Sequence, residues 1–138
     1  MALKMQGMAP LVQVFDMPRS VAFYRDVLGF EVVTTSPTRG RDDFDWGLLR
    51  RDGIDLMLNT AYEMDDRPPR PDPTHVATHG DTAFYFGCPD VDAAYAELRE
   101  KGVATQPPAV APYGMKQLYL KDPDGYTICF QWPVGEAA

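Results

Sequence analysis

Two stretches of the chain repeat one pattern of apolar spacing, "FDMPRSVAFYRDVLGFEVV" and "PDVDAAYAELREKGVAT". In each stretch apolar residues recur every three or four positions, which is typical of the buried face of a helix. These faces consist of Val21, Tyr24 and Leu28 in the first copy and Val91, Tyr95 and Leu98 in the second. An acidic cap precedes each helix and a glycine ends it. The caps are Asp16 and either Asp90 or Asp92, and the glycines are Gly29 and Gly102.

Strands are predicted on both sides of each helix, because apolar and polar residues alternate there. The segments before the helices are "PLVQVF" and "TAFYFGC". Those after them are "GFEVVTTS", "FDWGLLRR" and "RRDGIDLMLN" in the first copy, and "GVATQPPAV", "MKQLYLK" and "KDPDGYTICFQ" in the second. This order predicts an α+β fold of two βαβββ modules in a single domain spanning residues 1–138. Module one covers about 8–60 and module two about 81–133.

Residues 61–80, "AYEMDDRPPRPDPTHVATHG", join the two modules and are rich in proline and charge. This composition predicts a linker loop at the surface. Both histidines of the chain, His75 and His79, lie in it. Such a pair can chelate a metal on a helix, but the proline and glycine content predicts no helix here. We therefore expect exposed loop histidines.

Composition and charge narrow the possible partners. The 138 residues are 45% hydrophobic and 24% charged, as in an ordinary globular protein, and the net charge is −7. A net negative charge argues against nucleic acid and anionic membranes as partners. The sequence has no apolar run long enough to span a membrane and no signal-peptide pattern, so we expect a cytoplasmic protein. Cys88 and Cys129 lie in predicted strands without metal-type spacing, which favours reduced thiols.

The chain resembles the vicinal oxygen chelate superfamily in three features: its paired βαβββ modules, the stretch "SVAFYRDVLGFEV" and the stretch "KDPDGYTICF". This superfamily includes glyoxalase I, extradiol dioxygenases, fosfomycin-resistance enzymes and bleomycin-resistance proteins. The resemblance covers about residues 8–133 and implies that each module forms a half-barrel sheet. Three stretches look most like the bleomycin-resistance branch: "DDFDWGLLRRDGIDLML", "GDTAFYFGCPDVDAAYAEL" and "APYGMKQLYLKDPDGYTICF". That likeness implies a non-catalytic homodimer that sequesters a cationic drug.

Metal-dependent members of the superfamily carry His, Gln or Glu at four strand positions. The register of the resemblance assigns these positions to Ala9, Met57, Ala83 and Cys129. None of these side chains offers the oxygen or imidazole donor that Mg²⁺, Mn²⁺, Fe²⁺ or Zn²⁺ prefers. We therefore predict no metal and no cofactor.

Strand alternation predicts which side chains face the hollow of each half-barrel. In the last strand Thr127, Cys129 and Gln131 point away from the core residues Ile128, Phe130 and Trp132. The candidate ligand-binding residues are Trp46, Asp55, Met57, Asn59, Tyr85, Tyr113, Cys129 and Gln131. Trp46 and Tyr113 are the favoured stacking residues. The orientation of Arg50 and Lys116 stays open at this stage, and side chains that merely fill the barrel are an alternative.

Three functional hypotheses follow. The first is a metal-independent binder of a planar neutral or cationic compound, of the bleomycin-resistance type. The second is a divergent glyoxalase-like lyase or dioxygenase relative with an unrecognised metal site. The third is a subunit or regulatory module in which only the fold matters. In every case open sheet edges favour a homodimer.

Overall fold

The computed structural model describes residues 2–63 and 66–135. The chain divides into two compact units, the first ending at Pro71 and the second beginning at Asp72. Each unit contains one four-stranded sheet with helices, so the predicted α+β class and the two βαβββ modules are confirmed. None of the helices in the described residues is long and apolar enough to cross a membrane.

The first unit is built on a sheet with the strand order β1-β4-β3-β2. Strand β1 is parallel to β4, and the other neighbours are antiparallel. The elements are β1 (Leu11–Val14), α1 (Met17–Ala22) with a π-helical continuation (Phe23–Val27), β2 (Glu31–Thr35), β3 (Trp46–Arg51) and β4 (Ile54–Thr60).

The second unit repeats this topology with the strand order β5-β8-β7-β6, and β5 is parallel to β8. It begins with an additional short helix that has no counterpart in the first unit. The elements are α2 (Pro73–Thr78) with a 3₁₀ turn (His79–Asp81), β5 (Ala83–Gly87), α3 (Val91–Glu100), β6 (Ala109–Val110), β7 (Met115–Lys121) and β8 (Thr127–Pro133).

Side-chain caps begin the two repeated helices, as predicted. An Asp16 carboxylate oxygen accepts from the Arg19 amide at 3.2 Å, and Asp90 accepts from the Ala93 amide at 2.9 Å. Asp90, rather than Asp92, is therefore the cap of α3. Such a cap satisfies an amide that has no partner within the helix and stabilises it by about 1 kcal/mol.

Each sheet buries one face in its own unit and leaves the other face more open. In the first unit Val12, Leu49 and Leu58 are buried together with the α1 residue Val21. In the second unit Leu118 and Ile128 are buried, as are Val91 and Leu98 of α3. Complete burial of one such side chain contributes roughly 1.5–3 kcal/mol to the free energy of folding. The sheet face that packs against the apolar stripe of the helix is therefore the core face.

Two predictions about the second unit were wrong. Residues 73–81 are helical rather than an irregular loop, because Asp72 caps α2 and Pro73 occupies the first turn, where its missing N–H costs nothing. The strand predicted from "GVATQPPAV" shrinks to Ala109–Val110. Pro107 and Pro108 precede it, and proline cannot donate a ladder hydrogen bond.

Candidate ligand-binding faces

The open face of the second sheet consists of side chains opposite the buried core. Strand pairing places Cys129 between Tyr85 of β5 and Tyr119 of β7, and Gln131 beside Gln117. We call this surface the second-sheet face and define it by Tyr85, Gln117, Tyr119, Thr127, Cys129 and Gln131.

Two tyrosines stand on this face and touch each other. Their hydroxyl oxygens are 3.1 Å apart, and their rings meet edge to face with centroids at 6.2 Å. Tyr85 is 51% exposed and Tyr119 44%, whereas Cys129 between them is 0% exposed. The rings therefore offer aromatic surface to a ligand, while the thiol lies beneath them.

Cys129 and Tyr119 of this row stay protonated at neutral pH. Burial raises the pKa of the Cys129 thiol, although a hydrogen bond with Tyr119 opposes the shift. The pKa of Tyr119 is also raised, chiefly by its hydrogen bond with Tyr85 and then by desolvation. Neither of these two groups therefore adds a charge to the centre of the face.

A pair of glutamine amides continues the face beyond the tyrosines. Gln117 Nε2 donates to Gln131 Oε1 at 2.9 Å and is 2.8 Å from the Tyr113 hydroxyl oxygen. Tyr113 belongs to the turn before β7 and is 69% exposed. Gln117 thereby tethers the most exposed of these tyrosines at the border of the second-sheet face.

The first sheet has an open face of its own, which carries the other four candidate residues. Asn59 pairs with Gln13 on one side and with Trp46 on the other. In the next rows Met57 pairs with Leu11 and Leu48, and Asp55 pairs with Arg50. Trp46, Asp55, Met57 and Asn59 therefore share one face, which we call the first-sheet face.

A two-point ion pair occupies one end of the first-sheet face. Arg50 Nε and Nη2 lie 2.6 and 3.3 Å from the two carboxylate oxygens of Asp55. The hydrogen bond from Arg50 holds the pKa of Asp55 below its ordinary value. Asp55 is thus a paired carboxylate rather than an isolated negative charge.

The second cation whose orientation the sequence left open lies on the other side of its sheet. Lys116 is opposite Trp132 in the β7–β8 ladder, and its Nζ is 2.5 Å from an Asp92 carboxylate oxygen. Lys116 therefore lies on the same side of the second sheet as α3. Lys121, by contrast, is opposite Thr127 and donates to its hydroxyl at 2.8 Å, at the far end of the second-sheet face.

Among the described residues, no group of three or more His, Cys, Asp or Glu side chains is arranged to hold a metal. The rings of His75 and His79 are 5.0 Å apart. His79 Nδ1, however, lies 2.7 Å from the Asp124 carbonyl oxygen, and its ring stacks on Tyr126 at 4.1 Å. His79 therefore fastens α2 to the β7–β8 turn.

Sequence reasoning did not single out Gln117 and Tyr119, although both are central to the second-sheet face. The signal was available in "MKQLYLK". There Leu118 and Leu120 alternate with Gln117, Tyr119 and Lys121, and the two leucines are buried. Of the eight candidates, Tyr85, Cys129 and Gln131 lie on this face and Tyr113 borders it, whereas Trp46, Asp55, Met57 and Asn59 lie on the first-sheet face.

Comparison with known proteins identifies the family of this chain. A family model described as "Glyoxalase/Bleomycin resistance protein/Dioxygenase superfamily" matches residues 8–130. The uncharacterized protein YaeR of Escherichia coli (strain K12) is 31% identical over 122 residues, covering 82% of this chain and 84% of YaeR.

Solved structures share the fold. The structure of TioX from Micromonospora sp. ML1 matches with a TM-score of 0.71 at 20% identity, over 94% of this chain and 99% of TioX. TnmS3, an antibiotic binding protein from Streptomyces sp. CB03234, matches with a TM-score of 0.62 at 28% identity, over 96% of this chain and 98% of TnmS3. The chain belongs to the glyoxalase/bleomycin resistance protein/dioxygenase superfamily.

Proposed function

We propose that this protein binds a planar, neutral or cationic small molecule without a metal, in the manner of an antibiotic-sequestering protein. The observation that carries the proposal is the second-sheet face, where exposed tyrosine rings stand beside amide groups and where the Cys129 thiol and the Tyr119 hydroxyl are both uncharged at neutral pH. Such a surface suits stacking with a few orienting hydrogen bonds.

Three further facts support this ligand class. The likeness to TnmS3, at 28% identity, is to an antibiotic binding protein. The net charge of −7 attracts cations and repels anions over a screening length of ~8 Å at physiological ionic strength. The positions that would hold a metal by resemblance carry Ala9, Met57, Ala83 and Cys129, whose side chains lack hard donors.

Within this proposal the candidate residues have different roles. Tyr85, Tyr119 and Tyr113 supply ring surface, and Gln131 supplies hydrogen bonds. Cys129 forms the floor under the tyrosines, since its side chain is fully buried. Trp46, Met57 and Asn59 offer a second apolar and amide surface on the first sheet, and Asp55 contributes less charge than an unpaired carboxylate because Arg50 neutralises it.

Equilibrium titration with three probes tests the proposal: bleomycin, the planar cation proflavine and the planar anion anthraquinone-2-sulfonate. We expect a cationic probe to bind more tightly than the anion. Tyr119→Ala and Tyr113→Ala should each weaken its binding several-fold, since one good aromatic contact is worth about 0.5–1.5 kcal/mol. Trp46→Ala measures the contribution of the first-sheet face.

Ile54→Ala is the matched control, because Ile54 is an exposed apolar residue of β4 one position before Asp55 and so points to the opposite side of that strand. Tighter binding of the anion, unchanged in all three aromatic variants, would contradict the ligand class. A stoichiometric transition metal in the purified protein, with a turnover that chelator abolishes, would favour the enzyme hypothesis instead.

A further inference from the structure

The hydrogen bonds of the Gln117–Gln131 pair leave one donor and one acceptor unused. Both hydrogens of Gln117 Nε2 are engaged, one toward Gln131 Oε1 and one toward the Tyr113 hydroxyl. Within the described residues this leaves Gln117 Oε1 as an acceptor and Gln131 Nε2 as a donor. Gln117 as a whole is 8% exposed, and neither of these two atoms is fully buried without a hydrogen-bond partner.

This pairing does not depend on how the two amides are oriented. If both side chains are turned over, Gln131 donates to Gln117 and the Tyr113 hydroxyl donates to the same oxygen. Gln117 then keeps a donor and Gln131 keeps an acceptor. In either arrangement the pair offers one of each, which is complementary to a ligand edge that carries an acceptor beside a donor.

The surroundings of the pair favour an uncharged partner. Across the described strands β5, β7 and β8, no Asp or Glu lies on the open face. The cation of that face, Lys121, is beside Thr127, four residues along β8 from Gln131, a separation of roughly 13 Å. Gly87, the register neighbour of Gln131, has no side chain that would cover the amide.

We propose that the ligand carries a primary carboxamide or lactam on its planar ring, and that Gln117 and Gln131 recognise this neutral edge while Tyr85 and Tyr119 hold the ring. This inference rests on the proposed function and narrows it to a substrate class. Gln117 and Gln131 together determine specificity here, because they select among rings that bind to the same tyrosines.

Three naphthalenes of similar size test the inference by calorimetric or fluorescence titration. They are 2-naphthamide with donor and acceptor, 2-acetonaphthone with the acceptor alone, and anionic 2-naphthoate. We expect 2-naphthamide to bind about five-fold more tightly than 2-acetonaphthone, the equivalent of one neutral hydrogen bond. 2-Naphthoate should bind most weakly of the three.

Variants then assign the preference to the amide pair. Gln117→Leu, which removes the Oε1 acceptor for the amide hydrogen of the ligand, should abolish the amide-to-ketone preference. Gln131→Leu removes the Nε2 donor that the carbonyls of both ligands would use, so it should weaken the amide and the ketone alike. Lys121→Gln is the control at the other end of the face and should retain the preference. Thermal melting of each variant verifies that it is folded.

The two proposals fail in different ways. Equal binding of the amide and the ketone by the parent protein, with both lost in Tyr119→Ala, would overturn the carboxamide inference and leave the binding face in place. Persistence of the amide preference in both Gln117→Leu and Gln131→Leu would have the same consequence. Absence of binding by all three naphthalenes, bleomycin and proflavine would overturn both proposals.

Discussion

At the residue scale, the row Tyr85–Cys129–Tyr119 combines accessible rings with an inaccessible thiol. Cys129 is fully buried, whereas Cys88 is partly exposed and its Sγ lies 3.7 Å from the Asp90 carbonyl oxygen. The thiolate is the reactive form of cysteine, and burial raises the pKa of Cys129. The two thiols of the chain therefore differ in access, and burial keeps Cys129 in the less reactive thiol form.

We predict that Cys88 reacts with a thiol reagent well before Cys129. Labelling with 5,5′-dithiobis(2-nitrobenzoate) at pH 8 should give one fast equivalent and a second only as slowly as the protein opens. Tyr119→Ala should accelerate the second phase, because it removes the ring that covers the thiol. Mass spectrometry of the labelled peptides identifies each site, and first labelling of Cys129 would contradict the prediction.

Alkaline pH should lower the free energy of unfolding through Cys129 and Tyr119. The fold raises the pKa of both groups, so the unfolded chain loses these protons first. Their stabilising contribution is complete below the ordinary values, about 8.5 for a thiol and about 10 for a phenol. It is lost as the pH rises through the folded values.

Urea unfolding at pH 7, 9 and 10.5 measures this loss. The double variant Cys129→Ala, Tyr119→Phe keeps the packing approximately and removes both titrating groups, so its stability should fall less over the same range. An identical fall in the parent and the double variant would exclude these two groups as the source.

At the scale of elements, α2 is held against the β7–β8 turn by specific contacts of the second unit. His79 accounts for one contact, and Val76 provides another. Gly125 has a φ of +87°, and a Cβ built on it would lie 3.2 Å from Val76 Cγ1 and 3.3 Å from the Val76 carbonyl oxygen. Glycine at this position therefore permits the positive φ of the turn and leaves room for Val76 of α2.

We predict that Gly125→Ala destabilises the protein more than Gly114→Ala does. Gly114 has a φ of +85° with nothing within 4 Å of a built Cβ, so its variant measures backbone strain alone, about 1–2 kcal/mol. The crowding of Val76 should add roughly 1–3 kcal/mol at Gly125. Thermal or urea unfolding compares the two, and Val76→Ala should recover part of the difference. Equal losses would mean that α2 is not held at this turn.

At the scale of the whole molecule, each sheet ends in strands that have one partner in their own sheet. These edge strands are β1 and β2 in the first unit and β5 and β6 in the second. Open edges expose backbone donors and acceptors and invite pairing with another chain. Every copy carries a net charge of −7, so pairing between copies needs local contacts that outweigh this repulsion.

We predict that the protein is a homodimer in solution, because two-fold association is the commonest way to cover such surfaces. Light scattering after size-exclusion chromatography should give twice the chain mass of 15.4 kDa at micromolar concentration. The mass should not change between low and moderate salt if the contact is mainly apolar. A constant mass of one chain across these concentrations would exclude the dimer.

Much of the fold could be predicted from local patterns. Helical spacing, the Asp caps and the terminal glycines determine α1 and α3, because capping and side-chain periodicity act within a few residues. Strand alternation also determined that Cys129 and Gln131 share a face opposite Ile128 and Phe130, as the β8 register confirms. The helix of residues 73–78 was missed because proline was interpreted as a breaker and not as a first-turn residue.

What only the tertiary structure decided is which strands lie side by side and what their side chains do to one another. Alternation assigns a residue to a face, but pairing between distant strands decides its neighbours. Tyr85 and Tyr119 are 34 positions apart and meet across Cys129, and Gln117 reaches Gln131 from 14 positions away. Arg50 cancels the charge of Asp55 for the same reason. Ladder register arises from long-range backbone hydrogen bonds, which no local pattern in one sequence specifies.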